Sequence, residues 1–593
     1  MVKKKFRRFL LPTLGTAILL GSGTAIYWLL VRPYFFAAQK LTGAELVPQE
    51  VIFAASISTD EEQWQQLQQL GTKGSQQRIK KYFSELSNTF LQANGYSYET
   101  HIQPWVGEEI TVAYLPPTQS ALIVPNASPS EDLVKPMVFI LPMENSVQAG
   151  QLLDSPNSDL ESKKLRRTYK GVEIEEIQNS QSQRYSLTII KSFLVIANNS
   201  QAMEKVIDSY QEKTSLEADS SYQKALRQLG KKVNFARFYG HFPTIVATAK
   251  TNSLAPAPES TTQYRQGVTG SLSLTPESLH WEGIIWGKPG EFMQPVNSFG
   301  NYLTQFKEKS LASHLPQQTL FFFAGQNLPT QWQGWDSEAE LLPLLPFGEE
   351  TIANVIQENT GMSWQEDFLP WLGEDFAFAL TPITEDNLIN FTDRGGVKLG
   401  AALITVAQTQ NRASGEKALQ QLDEAMGTRY QFQVKSAQQG GQPVVNWTSP
   451  LGGIEAVRGW LSKDVFFFSL GAPISNKILP KPKRNLSSNQ LFKQVVKKGF
   501  APVNSELFFD VENFMAKKGT LAFPEGQKDL LNGVRAFGIT TTVIDSQSTR
   551  FEATFLLQNN SPNPNPSNSS PEDSEPKSSP FLDTSPGDGE LGK

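Results

Sequence analysis

The sequence predicts an α+β protein: an N-terminal transmembrane helix followed by two tandem, diverged copies of a mostly antiparallel sheet-plus-helix module. Three observations predict it. A long uncharged run follows a basic N-terminus, one ungapped segment recurs with its neighbours half a chain later, and short alternating strands do not alternate regularly with long helices.

The membrane span comes first. Lys3, Lys4, Lys5, Arg7 and Arg8 (residues 1–8, expected in the cytoplasm) precede an uncharged stretch from Phe9 to Val31. At helical rise that stretch covers roughly 34 Å, enough for a hydrocarbon core of about 30 Å. Pro12 sits near its first turn, where a missing N–H costs little. Tyr27, Trp28 and Tyr34 lie at the far end, as interfacial aromatics do. The excess of basic residues before the span places the body in a periplasm or lumen. Gly23-Thr24-Ala25 is a tolerable signal-peptidase site, but the apolar run continues through Ile26 to Val31, which favours an uncleaved anchor.

Composition bounds the rest. At 593 residues the chain exceeds a single compact core, and 39% hydrophobic with 19% charged residues is ordinary for folded protein. A formal net charge of -6 argues against a nucleic-acid partner, which needs a concentrated basic face. Cysteine is absent, which removes disulfides, thiolate metal sites and a Cys nucleophile. Burial of 37 Phe, 14 Tyr and 11 Trp must carry stability.

The repeat is the most informative feature. GYSYETHIQPWVGEEITVAYLP (95–116) aligns without a gap on GMSWQEDFLPWLGEDFAFALTP (361–382). The two match at Gly95/Gly361, Ser97/Ser363, Pro104/Pro370, Trp105/Trp371, Gly107/Gly373, Glu108/Glu374, Ala113/Ala379 and Pro116/Pro382, where unrelated segments share about one or two positions. Val47-Pro48-Gln49 likewise corresponds to Leu315-Pro316-Gln317, Tyr185–Ala197 to Gly459–Leu470, Ser221–Gly230 to Asn489–Gly499, and the hairpin Ser271–Trp286 to Gly538–Leu557. The copies span 45–290 and 312–558.

Within a copy, Leu272 and Leu274, then Trp281, Gly283 and Ile285, read as antiparallel strands with one face on a core. Ser58 or Thr59, with Glu61 and Glu62 following, reads as a helix cap. A second helix runs from Ser75 to about Asn94, burying Ile79, Tyr82, Phe83, Leu86 and Phe90 and stopping at Gly95. Helical stretches Ser146–Leu153 and Gly415–Met426 correspond, while Gln119–Asp132 and Ser253–Thr262 read as surface loops. Residues 559–593, rich in Ser, Pro, Asn and acid, read as a disordered tail.

This layout resembles a family of membrane-anchored cyanobacterial proteins known only as a domain of unknown function. The resemblance rests on the basic N-terminus, the single span, the Leu315-Pro316…Thr319 strand opener and the Pro-Trp-[Val/Leu]-Gly-Glu segments. It covers residues 1 to about 558 and implies an envelope or thylakoid setting, with no reaction and no functional residues.

Candidate chemistry is thin. Trp105, Gly107, Glu108, Trp371, Gly373 and Glu374 are the repeat-matched candidates, either lining a groove or plugging the core at a tight turn into a strand. Retention in both copies favours the structural role. Glu108-Glu109 and Glu374-Asp375 cannot form catalytic dyads if adjacent strand residues face opposite ways. His101, His241, His280 and His314 show no metal-ligand spacing, and His101 aligns with Asp367. Ser414-Gly415-Glu416-Lys417 matches Ser-x-x-Lys but lacks its partner motifs, and Ser414 reads as a helix N-cap. Lys477, Lys481, Lys483, Arg484, Lys493, Lys497 and Lys498 form the one basic concentration outside the anchor, suited to anionic lipid or wall polymer, or simply a solvated face.

These features predict a non-enzymatic, membrane-anchored binding or scaffolding protein of the envelope or thylakoid, without cofactor or metal. The expected partners are the bilayer and an unidentified extracytoplasmic protein, lipid or wall ligand. The alternatives are an envelope hydrolase or transferase whose site converges only in the fold, and a carrier of lipid or hydrophobic ligand.

Overall fold

The computed structural model describes residues 40–90, 97–117, 136–147, 163–178, 184–229, 234–252, 265–288, 311–326, 360–372, 375–383, 401–409, 411–450, 455–471, 474–496, 503–516 and 533–558, with a few shorter pieces. They belong to one compact unit. The expected span 9–31, the loops 119–132 and 253–262 and the tail 559–593 lie outside them. Among the described residues no helix is long and apolar enough to cross a membrane.

Apolar strand segments separated by tight turns form one sheet of 20 strands, every neighbouring pair antiparallel. The first half supplies β1 (Phe53–Ser58), β2 (Glu109–Tyr114), β3 (Met137–Pro142), β4 (Lys163–Tyr169), β5 (Val172–Gln178), β6 (Arg184–Ile190), β7 (Phe193–Ala197), β8 (Ala236–His241), β9 (Arg265–Leu274) and β10 (Ser278–Gly287). The second supplies β11 (Phe321–Gln326), β12 (Asp375–Pro382), a separate small hairpin of β13 (Ile389–Asn390) and β14 (Lys398–Leu399), then β15 (Ala401–Gln408), β16 (Gln433–Gln439), β17 (Gln442–Thr448), β18 (Glu455–Trp460), β19 (Val465–Leu470), β20 (Ser505–Asp510), β21 (Val534–Asp545) and β22 (Ser548–Leu557).

The spatial order in the first half is β4-β5-β6-β7-β3-β2-β1-β8-β9-β10. In the second it is β16-β17-β18-β19-β15-β12-β11-β20-β21-β22, the same sequence of pairings position by position. The halves meet where β10 pairs β22, from Ser278↔Leu556 to Trp286↔Ser548. What would be the open edge of each half is therefore covered by the other. At the outer edge, β4 carries Lys164 and Arg167 bound to Glu175 (3.0 Å) and Glu176 (2.7 Å) of β5, charges that discourage edge-to-edge pairing.

Local chemistry repeats with the topology. The β4–β5 turn places Lys170 and Gly171 at φ 46° and 81°, and the β16–β17 turn places Gly440 and Gly441 at 57° and 78°. Both are two-residue turns with two positive φ angles, whose twist suits a hairpin. Helices Ser220–Gln228 and Gln490–Val495 are capped by Asp219 and Asn489. The expected caps elsewhere shift. Asp60, not Ser58 or Thr59, caps Glu61–Gln69 by accepting the Glu62 N–H, and Asn411 caps Arg412–Tyr430 by accepting the Ser414 N–H. The helix expected from Ser75 runs Lys73–Phe90, and the burial assigned to its apolar side chains lies outside what is described.

Around the seam both sheet faces are covered, which corrects the expectation of strands with one buried face there. One face carries Trp281, Ile285, Phe551 and Ala553, with Phe242 of the helix Phe242–Asn252 against them. On the other, Tyr239 and Ile284 pack with Met203, Ile207 and Tyr222 of helices, and Phe322 and Phe508 pack with Ile478 and Phe492. This second face also holds charge. Glu282 and Glu552, each the fifth residue of its ten-residue strand, stand directly opposite across the seam at 2% and 7% exposure. Two like charges so placed repel. Arg550 compensates with Nη2 donating to Glu282 Oε1 at 2.8 Å and Nη1 to the Gln228 carbonyl at 3.2 Å. Burial pushes the Arg550 guanidinium below its ordinary value, with Glu282 and Glu552 acting the other way.

Removing one partner of a buried pair leaves the other charge stranded. R550A is therefore expected to lower unfolding free energy by about 3–5 kcal/mol in urea melts, and E282L/R550L to recover most of that loss.

Candidate functional site

The Pro-Trp-x-Gly-Glu candidates sit at the entrances to β2 and β12. Before each lies a single wide turn of helix, Tyr98–Ile102 and Trp364–Phe368. Each turn is closed the same way by different residues: the Ser97 N–H donates to His101 Nδ1 at 3.0 Å, and the Ser363 N–H to Asp367 Oδ2 at 2.8 Å. Nδ1 and Oδ2 lie equally far from the backbone, so His and Asp exchange freely there. This accounts for the His101/Asp367 mismatch without any ligand.

The turn then sets the tryptophan. Trp105 Nε1 donates to the His101 carbonyl, and Trp371 Nε1 to the Asp367 carbonyl at 2.8 Å. With its one polar atom satisfied, each indole is buried to 2% exposure. Trp105 packs with Ile102, Leu141, Ala149 and Leu194. Trp371 meets Phe466 edge to face at 5.4 Å and lies so close to Gly415 that a Cβ there would come within 2.8 Å of the ring. Gly107 donates its N–H to the Pro142 carbonyl at 2.9 Å, and a Cβ would stand 3.0 Å from the proline ring. Glu108 is exposed, and its carbonyl accepts from the Thr59 N–H at 2.9 Å. Gly373 and Glu374 lie outside the described residues. The tryptophans and Gly107 are thus core.

Of the polar groups that do converge, only Glu109 is singled out from sequence. Arg237 of β8 hydrogen-bonds the Glu109 carboxylate and the Lys40 carbonyl (2.9 Å), and Glu109 also accepts from Thr42 Oγ1 at 2.6 Å. Burial pushes Arg237 down to about 10, against the nearby Glu108 charge, so it stays protonated at neutral pH. A register row carries these groups across the sheet from Ser56 through Arg237, Ser271, Glu282, Glu552 and Thr540 to Glu506. Every one is buried. The signal in sequence is a charged residue inside an otherwise apolar strand, as Glu282 is between Trp281 and Gly283.

The histidines serve locally. His241 Nδ1 is 2.7 Å from Thr244 Oγ1 and Nε2 is 2.9 Å from Gln266. Asp510 occupies the corresponding strand end and caps Val511–Ala516 through Asn513 (3.1 Å). Burial lowers the His241 pKa, with Glu50 and Asp219 opposing, and raises that of Asp510. His280 Nδ1 lies 3.1 Å from Thr554 Oγ1 on the seam. Among the described residues no group of three or more His, Asp or Glu could hold a metal ion. A cleft of about 30 Å³ beside the seam is lined by Ser221, Lys224, Gln228, Trp286, Gln547 and Ser548. It has room for one or two waters, far from the roughly 300–1,000 Å³ of a small-ligand pocket.

A family model described as "Protein of unknown function (DUF3352)" matches residues 13–557. No curated protein matches. Two solved structures, crystal forms I and III of TP0453, are similar to 42% and 45% of this chain and to 80% and 90% of their own. Their identities are 11% and 9% and their TM-scores 0.22 and 0.21, and at such scores the likeness carries no argument.

Two outcomes are expected. W105A and W371A each cost about 3–5 kcal/mol, H101D stays within about 0.5 kcal/mol of wild type, and E108A changes little, all by urea melts. The native state holds His241 neutral while the unfolded chain protonates at the ordinary value near 6.5. Its contribution is then full above that pH and lost as pH falls through the lower native value. Stability curves of wild type and H241N should run parallel above pH 6.5 and diverge below it, the wild type falling faster.

Proposed function

The chain belongs to the DUF3352 family of proteins of unknown function, and we propose that it is a non-enzymatic, single-span membrane protein whose body binds or scaffolds a partner outside the cytoplasm. The observation that carries this reading is where the repeat-matched residues are spent. Trp105, Gly107 and Trp371 are buried plugs and close contacts, and the converging charges are buried in ion pairs across the sheet, so both serve a wide rigid body.

The body is read as two descendants of one module. Support comes from the matching strand order, the paired indole-to-carbonyl bonds and the paired two-residue hairpins. A tandem copy that pairs its last hairpin with that of its neighbour gives one platform twice as wide, with its open edges moved to the outside. The envelope or thylakoid setting rests on the basic N-terminus and the uncharged run from Phe9 to Val31.

Cross-linking in intact cells, followed by capture of the full chain from detergent-solubilised membranes, should return a discrete protein or lipid. Protease outside sealed right-side-out vesicles should digest the body and leave a membrane-retained N-terminal fragment. A body spared in those vesicles but lost in inside-out ones reverses the topology. Turnover of a wall substrate by the purified chain, with nothing captured, overturns the non-enzymatic reading.

A further inference from the structure

The basic concentration in the second half is left unused by the fold. Lys477, Lys481, Lys483, Arg484 and Lys493 are all exposed. The backbone beneath them is fixed, because Ile478, Leu479, Leu486 and Phe492 are buried in the core of that half. Among the described residues, none of the five side chains pairs with an acid; that of Lys477 donates to the Pro382 carbonyl at 3.5 Å.

The corresponding place in the first half shows what the fold itself requires. The bridges Pro48↔Ser215 and Pro316↔Asn485, the short turns Leu216–Ala218 and Leu486–Ser488, and the caps Asp219 and Asn489 align the two stretches. Residues 211–223 contain three acids, Glu212, Glu217 and Asp219, against one base, Lys213. Residues 481–493 contain four bases, Lys481, Lys483, Arg484 and Lys493, and no acid. In the first half two of these acids are paired with bases of the same half at its surface, Glu217 with Lys40 and Glu212 with Lys170 (2.7 Å). The same local architecture is therefore built with net negative charge in one half and strong positive charge in the other, so folding does not demand the basic set.

Its position is the second observation. Ile284 and His280 lie on one face of β10, and the row from His280 through Thr554, Gly538 and Phe508 reaches Phe322. The layers around Tyr222 and around Phe492 thus cover the same side of the sheet. The chain enters the body on this side: the Leu41 N–H donates to Tyr222 Oη at 3.0 Å, and the Lys40 carbonyl accepts from Arg237 at 2.9 Å. Eight residues lie between Val31, the end of the proposed span, and Lys40, and the nine steps along the chain reach at most about 30 Å. Four strand spacings, about 20 Å, separate β8 from β21.

We propose that this exposed basic surface of the second half docks on the anionic headgroups of the membrane that anchors the chain, holding one side of the sheet against the bilayer. The proposal rests on the reading of residues 9–31 as a span. Anionic headgroups attract each nearby base and are screened by salt.

The full chain is reconstituted with phosphatidylcholine vesicles, and with vesicles containing about 30% phosphatidylglycerol, then tested by flotation and by lysine acylation read by mass spectrometry. Flotation with the neutral vesicles reports the span. Docking predicts that Lys481, Lys483 and Lys493 acylate about fivefold or more slowly in the anionic vesicles only, and that about 0.5 M NaCl removes the difference. K481E/K483E/R484E should float equally and lose the difference at Lys493. Flotation with equal acylation in both vesicles overturns the docking and leaves the span standing. Failure to float with neutral vesicles removes the span, and the surface is then supported by binding to anionic vesicles alone and overturned if those too fail.

Discussion

The antiparallel pairing of β10 with β22 is the constraint on which the rest of the architecture depends. Without it each half would expose a ten-residue edge strand rich in Trp, Ile and Phe, a template for pairing with any passing chain. With it, the two edges satisfy one another. The register that achieves this brings Glu282 against Glu552, and a one-residue slip would send Trp281 and Ile285 to the charged face. The buried Arg550 makes the observed register tolerable, so the ion pair acts on alignment more than on net stability.

Around the seam, each half is stiffened by the same small devices executed with different residues. The wide helical turn is closed by an imidazole in one half and a carboxylate in the other. The hairpin turn uses Lys170-Gly171 once and Gly440-Gly441 once. The strand end before a helix is His241 once and Asp510 once. In each pair the geometry of the acceptor or of the positive φ is the same while the residue differs. Where no such demand applies the two halves differ in charge, as at Lys481–Lys493 against Gln211–Gln223.

Much of this is legible in the sequence where a local rule applies. Trp105 and Trp371 read as core because a retained Pro-Trp-x-Gly points to a tight turn, and the hairpins Tyr185–Ala197 and Gly459–Leu470 are β6–β7 and β18–β19 with slightly shifted ends. Cap positions slip by one to three residues, since Asp60 and Asn411 win by the reach of a side-chain oxygen to a particular N–H. The buried charges are legible only as charged residues within strands, not as buried ones. Glu282 alternates with Trp281 and Gly283, so periodicity alone assigns it to solvent, and Arg550, which neutralises it, is far away in the chain. Only the pairing of distant strands and the helices laid on them reveal that both faces are covered around the seam.

Hydrogen exchange on the full chain, followed peptide by peptide, tests the central claim most directly. If the seam makes one cooperative body, amides of β10 and β22 exchange as slowly as those of β8 and β20, by global unfolding only. Seam amides exchanging about a hundredfold faster than those interior strands, with each half opening separately, would contradict a single sheet.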